Sequence, residues 1–205
     1  MTLIKICGIM NKVDAVRAAE LGVDMLGFVF YKKSRRYVDP AAVREIINEL
    51  PDSIRKVGVF VDEDQRKVRA IAEDSGVDTL QFHGSETPWY CADFKGDYKV
   101  IKAFRLKGAE DLKTVNDYDV DFVLLDNYSS DSVGGTGEAF DWNILKDYEF
   151  LHPEILSGGL NPENVTKALA DVIPYGVDVS TGVEDSPGKK NFELMKRFVE
   201  AVRKA

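Results

Sequence analysis

Hydrophobic residues in this chain come in two alternating patterns. Leu3-Ile4-Lys5-Ile6-Cys7 is a short apolar run, and in residues 11–21 Val13, Val16, Ala19 and Leu21 recur at helical spacing. Short runs read as strands and periodic stretches as helices. The alternation continues to the end of the chain. Strands are predicted over 3–7, 25–30, 57–61, 79–82, 98–104, 121–125, 154–156 and 177–179. Helices are predicted over 11–21, 39–50, 63–75, 86–94, 109–115, 141–148, 161–170 and 192–204. Local punctuation agrees: Asp39 then Pro40 is an N-cap followed by proline at the first helical position, and Gly76 stops the third helix. Phe122-Val123-Leu124-Leu125 is apolar throughout, as a parallel strand buried on both faces must be. Eight strand-then-helix units predict a closed (β/α)8 TIM barrel, a single compact domain over 1–205. No linker or low-complexity tract interrupts it. No GxGxxG follows the first strand, which argues against a dinucleotide fold.

Two turns stand out within this pattern. Leu156-Ser157-Gly158-Gly159-Leu160 leaves the seventh strand, and Val179-Ser180-Thr181-Gly182 leaves the eighth. Paired glycines let backbone approach a ligand and adopt positive φ. Asn161 then reads as an N-cap with Pro162 at N1, so a helix N-terminus is expected to face the first turn. Free N–H groups at such places bind anions. Barrels of this class build a phosphate site after strands seven and eight. The candidates there are Gly158, Gly159, Ser180, Thr181 and Gly182. The longest irregular segment, 127–140, contains Gly134-Gly135-Thr136-Gly137 and is expected to be functional.

Composition narrows the partners. With 205 residues, eight units have about 25 each, a barrel with little decoration. A net charge of −8 argues against a nucleic-acid footprint. No apolar run of about 18 residues exists, so no membrane-spanning helix is expected. The N-terminus lacks a signal-peptide layout. Two cysteines, Cys7 and Cys91, form neither a disulfide framework nor a zinc spacing. A cytoplasmic protein without a metal site is the expectation.

The mouth of the barrel supplies the candidate chemistry, because sites of this architecture lie at the C-terminal ends of the strands. Cys7 ends the first strand. A free cysteine is usually a small buried hydrophobe, but a thiolate beside a cation is a base. Lys5, two residues back, shares its face and is expected, with the phosphate-site dipoles, to lower the thiol's pKa. Asp178 on the eighth strand can reach the same face and form a buried pair with Lys5. Asp126 ends the apolar sixth strand, where a carboxylate is costly unless it belongs to a site. As a general acid it must carry a proton near neutral pH. Lys32, Lys33, Arg35 and Arg36 make a positive loop after the second strand. His83, after the fourth, can line the pocket or serve as a hydrogen-bonded structural residue. Cys91 reads as packing, and His152 lies away from the mouth.

These stretches, taken together, carry a resemblance. Lys5-Ile6-Cys7-Gly8-Ile9, Gly27-Phe28-Val29-Phe30, Ser34-Arg35-Arg36-Tyr37, Val57-Gly58-Val59-Phe60-Val61, Gln81-Phe82-His83-Gly84, Leu124-Leu125-Asp126, Gly134-Gly135-Thr136-Gly137, Leu156-Ser157-Gly158-Gly159-Leu160 and Asp178-Val179-Ser180-Thr181-Gly182-Val183-Glu184 strongly resemble phosphoribosylanthranilate isomerase, in order and over nearly the whole chain. Phe82 stands where leucine is common and Met10 where a small polar residue is usual; neither removes a reacting group. The resemblance implies a cofactor-independent Amadori rearrangement in tryptophan biosynthesis, acting on a small phosphoribosyl substrate as a monomer or homodimer. It implies Asp126 as acid and Cys7 as base. It implies Arg36 for the anthranilate carboxylate, His83 and Asp178 for the substrate, and Gly135 with the two glycine turns for phosphate. Two alternatives remain at this level. One is the related histidine-pathway isomerase, which by analogy has an aspartate where this chain has Cys7. The other is a non-catalytic phosphosugar-binding module, against which the presence of Cys7 and Asp126 speaks.

Overall fold

The computed structural model describes residues 1–127, 142–146 and 148–205. The eight apolar runs become β1 (Leu3–Cys7), β2 (Met25–Val29), β3 (Arg55–Phe60), β4 (Thr79–Phe82), β5 (Lys99–Leu106), β6 (Phe122–Asn127), β7 (Glu154–Leu156) and β8 (Gly176–Val179). Each is parallel to the next, and β8 pairs with β1, so the expected barrel closes.

Alternation along each strand decides what goes where. Met25, Val57, Ile101, Phe122, Leu124 and Ile155 fill the interior of the barrel. Leu26, Val123 and Leu125 point outward into a second apolar layer under the helices. Each strand therefore needs apolar residues on both faces. The inner row changes character toward the C-terminal ends: Cys7 follows Lys5, Gln81 follows Thr79, and Asp126 follows Leu124.

The helices are α1 (Lys12–Glu20), α2 (Pro40–Ile47), α3 (Gln65–Ser75), α4 (Pro88–Ala92), α5 (Val165–Asp171) and α6 (Phe192–Lys204). Asn11, Asp39, Asp64, Thr87 and Asn191 cap five of them with side-chain oxygens. Gly76 ends α3 with φ +79°, in the left-handed region. From α6, Arg203 bonds the carbonyl of Thr2 and the carboxylate of Asp24, fastening the last helix beside β1.

Four expectations are corrected. The apolar side of α1 is Ala15 and Ala18, while Val13 is 57% exposed. The helix turns this way because Asp14 is drawn inward to accept the N–H of Lys190. Residues 109–117 form a 3-10 helix rather than an α-helix, and the Asp111 carboxylate closes its start by accepting the N–H groups of Lys107 and Gly108. The sixth helix is reduced, among the described residues, to a 3-10 turn over Trp142–Leu145. The helix predicted from Asn161 starts at Val165. Asn161 does accept the N–H groups of Glu163 and Asn164, but Asn164 answers by bonding Asn161 N–H and the Gly159 carbonyl, which folds 161–164 into a separate turn. One element is new: the hairpin of β9 (Glu184–Ser186) and β10 (Lys189–Lys190).

Candidate active site

A pocket at the C-terminal end of the barrel is lined by Cys7, Arg36, His83, Asp126, Gly158, Gly159, Asp178, Ser180 and Thr181. These come from six different strand ends, so closure of the barrel is what assembles them. Two of the predicted site residues are not among the lining. Gly182 packs against Leu160 and Asn161 of the facing turn, and Gly135 falls outside the described residues. Gln81 and Ser157, present in the quoted strand ends but given no role from the sequence, also line the pocket. Both lie on the inward alternation of their strands, which was the available signal.

The two glycine turns make a backbone surface. Gly158 and Gly159 have φ of +82° and +72°, which side chains beyond glycine rarely adopt. No described residue accepts the N–H of Gly158, Gly159 or Leu160. The second turn enters a 3-10 helix over Thr181–Val183, whose first N–H groups have no partner within the helix. The anion-binding character of the site therefore rests on these N–H groups. The end of α5 is separated from them by the turn at 161–164. Gly182 is needed for another reason: a Cβ there would collide with the Leu160 carbonyl oxygen of the facing turn. Gly182→Val is expected to force the turns apart and raise the inhibition constant of phosphate-bearing product analogues roughly tenfold or more, for an overpacking cost of ~1–3 kcal/mol. An unchanged constant in a folded variant would remove this turn from the phosphate site.

Below the turns lies a buried polar row. Lys5 on β1 is directly opposite Asp178 on β8, with Nζ 2.8 Å from Oδ1. Ser157 Oγ donates to the other carboxylate oxygen at 3.1 Å. Burial alone would pull the lysine down, but Asp178 and then Cys7 hold it above its ordinary pKa, so it is a fixed cation. Cys7 sits one inward position above. Gly27 is opposite it in register, and a Cβ at Gly27 would come within 2.7 Å of the thiol. Burial pushes the Cys7 pKa up; Lys5 opposes this, Asp178 adds to it, and Lys190 opposes it more weakly. The net shift is upward, reversing the expectation of a lowered thiol. The physical reason is that burial of the thiol outweighs the Lys5 charge, and Asp178 adds to the burial.

Asp126 occupies the inner face at the top of β6, where Oδ1 accepts the N–H of Asn127 at 2.9 Å. His83 Nε2 approaches its other oxygen at 3.2 Å. The angle does not make a hydrogen bond, and Nε2 has no hydrogen-bond partner among the described residues. Gln81 reaches His83 Nδ1 at 3.0 Å, while Gln81 Oε1 is also unpartnered. Two buried polar atoms thus face the pocket with bonding capacity unused.

Of the positive loop, only Arg36 turns inward; Lys32, Lys33 and Arg35 are exposed. The backbone N–H of Arg36 is held by Ser34 Oγ, and its Nε and Nη2 donate to Glu184 at 2.8 and 2.7 Å. Burial works against the Glu184 charge, but Arg36 and then Lys190 hold its carboxyl below the usual range. This ion pair spans 148 positions. The hairpin carrying Glu184 had one local sign, the turn residues Pro187-Gly188, with Gly188 at φ +82°. No described His, Cys, Asp or Glu cluster could hold a metal ion. No described helix is long and apolar enough to cross a membrane.

A family model described as N-(5'-phosphoribosyl)anthranilate (PRA) isomerase matches residues 4–201. The N-(5'-phosphoribosyl)anthranilate isomerase of Geobacter sp. (strain M21) is 48% identical over 204 residues, covering 100% of this chain and 99% of its own. Monomers generated from the dimeric phosphoribosylanthranilate isomerase of Thermotoga maritima superpose with a TM-score of 0.90 at 38% identity, with both chains covered in full. A phosphoribosyl anthranilate isomerase in complex with reduced 1-(o-carboxyphenylamino)-1-deoxyribulose 5-phosphate is similar over the whole of both chains, with a TM-score of 0.87 at 36% identity.

Proposed function

Because this chain belongs to the N-(5'-phosphoribosyl)anthranilate isomerase family, we propose that Cys7 and Asp126 are the acid–base pair of its Amadori rearrangement. The reaction, a step of tryptophan biosynthesis, converts N-(5-phosphoribosyl)anthranilate to 1-(2-carboxyphenylamino)-1-deoxyribulose 5-phosphate. Asp126 gives its proton to the furanose ring oxygen. The C1–O bond breaks as the nitrogen lone pair forms the Schiff base. The Cys7 thiolate then takes the proton from C2, and the resulting enolamine tautomerises to the ketone.

One observation carries this reading. Asp126 and Cys7 cap the inner rows of β6 and β1, the strands flanking β7 and β8, whose turns present the free N–H groups. A sugar phosphate held by those turns meets one group from each side. Proximity of this kind makes proton transfer effectively unimolecular. Gly158, Gly159, Ser180 and Thr181 hold the phosphate in this reading, with Gly182 keeping the turns close and Gly135 assigned to the same end. Asp178 and His83 contact the sugar. Arg36 binds the anthranilate carboxylate in bidentate fashion. The enzyme acts in the cytoplasm as a monomer or homodimer, the latter by analogy with the dimeric Thermotoga maritima protein.

Turnover of freshly made phosphoribosylanthranilate, followed by loss of its fluorescence, tests the activity; a folded protein without turnover would overturn the proposal. Arg36→Met tests the carboxylate site. It is expected to raise KM about tenfold or more with kcat within about threefold, the pattern of lost uniform binding. An unchanged KM would take Arg36 out of the site.

A further inference from the structure

Glu184 is shared by two cations. Arg36 occupies both of its oxygens with the Nε–Nη2 edge. Lys190 Nζ also reaches Oε1, at 2.8 Å, and donates to the Ser180 carbonyl at 3.0 Å. The Lys190 side chain is 0% exposed, and its backbone N–H is held by Asp14. The acid–base chemistry involves this lysine only as a weak charge favouring the Cys7 thiolate, an effect common to any substrate. Burying an ammonium is costly, and a single carboxylate would be neutralised by Arg36 alone.

The charge count suggests what the lysine does. Arg36 and Glu184 without it form a neutral pair, which draws an incoming carboxylate only weakly. Burial pulls the Lys190 ammonium below its ordinary pKa, against the hold of Glu184; protonated, it gives the cluster one net positive charge. Arg36 is the only lysine or arginine among the described residues lining the pocket, and Asp126 and Asp178 line it too. A guanidinium has five N–H groups, and Glu184 takes two, so the Nη1 end remains for a ligand.

We propose that Lys190 is a specificity-determining positioning residue, whose buried charge lets the Arg36–Glu184 pair select an aryl carboxylate. The inference rests on the reading of Arg36 as the carboxylate site. It assigns Lys190 a role through Arg36, without contact to substrate.

The test compares kcat/KM for the phosphoribosyl adducts of anthranilate and of aniline, which differ only in the carboxylate. Effects on phosphate binding or on folding cancel in their ratio. Lys190→Met is expected to lower the preference for the anthranilate adduct about tenfold or more, mainly through KM, as expected for losing a charge-assisted contact. Lys190→Arg should keep the ratio within about threefold. Combining Lys190→Met with Arg36→Met should cost no more preference than Arg36→Met alone. An equal loss for both substrates, or none for either, would overturn the role of Lys190. If Arg36→Met itself leaves the ratio unchanged, the reading of Arg36 fails instead. Should Lys190→Met not fold, Glu184→Gln decides. Removing the negative charge leaves both cations, so the preference should hold or rise; a tenfold drop would overturn the proposal.

Discussion

Cys7→Ala and Asp126→Asn are each expected to lower kcat by roughly 10²- to 10⁴-fold, the scale of general acid–base catalysis, with circular dichroism unchanged. The double variant should lose less than the product of the two losses, because ring opening and C2 deprotonation depend on one another. The pH dependence of kcat/KM should be bell-shaped and report the free enzyme. The active form has a thiolate at Cys7 and a proton on Asp126, so the two groups hold one proton between them. Rising pH removes that last proton from the pair. Burial pushes the Cys7 thiol up, so the alkaline limb is expected above the ordinary thiol value of about 8.5. A limb at or below that value would mean that Lys5 outweighs burial. Near-native kcat in either folded single variant would remove that residue from the chemistry.

Lys5→Met should destabilise the fold by about 3–5 kcal/mol, since it leaves the Asp178 carboxylate buried without its cation. For a chain of this size that corresponds to a drop in Tm of roughly 6–20 °C. The side chain is 0% exposed and its partner 7%, so solvent offers little compensation. Replacing both partners, as in Lys5→Met with Asp178→Leu, should recover much of the loss, because an apolar pair of similar volume is often neutral. Thermal unfolding of the four species measures the cycle. A single variant within 1 kcal/mol of the parent would show that the pair contributes little. Activity gives an independent readout: without Lys5 the thiol loses the cation that most favours its thiolate, so its alkaline limb should move further up.

The barrel was legible because each strand had to be apolar on two faces and each helix on one, and that requirement is written in local spacing. The bounds of β1, β4, β7 and α6 match those predicted. The start of α5 was misread although its signals were real. Asn161 and Pro162 do form a capped turn, but the side chain of Asn164 ties that turn to Gly159, a tertiary choice that capping rules do not contain. In the site, Cys7, Asp126 and the glycine turns were visible because each breaks an apolar run at a strand end. Glu184 and Lys190 were hidden for the opposite reason: they lie in a polar stretch without period, where charge is the ordinary condition. Contacts with Arg36, 148 positions away, and with the buried Lys190 distinguish Glu184 from a surface glutamate. The direction of the Cys7 shift was likewise a sum of burial with charges on three strands, Lys5, Asp178 and Lys190, and naming only Lys5 and the phosphate-site dipoles gave the wrong sign.

Ribosomal synthesis delivers the halves of this molecule far apart in time. Lys5 and Asp178 are 173 positions apart, an interval of about 10–35 s at the usual ~5–20 residues per second. Until β8 emerges, one edge of β1 has no partner, and the strand that carries the base offers its N–H and C=O groups to any neighbouring nascent chain. Catalytic competence thus arrives with the last strand, and the demand for chaperones falls on the first.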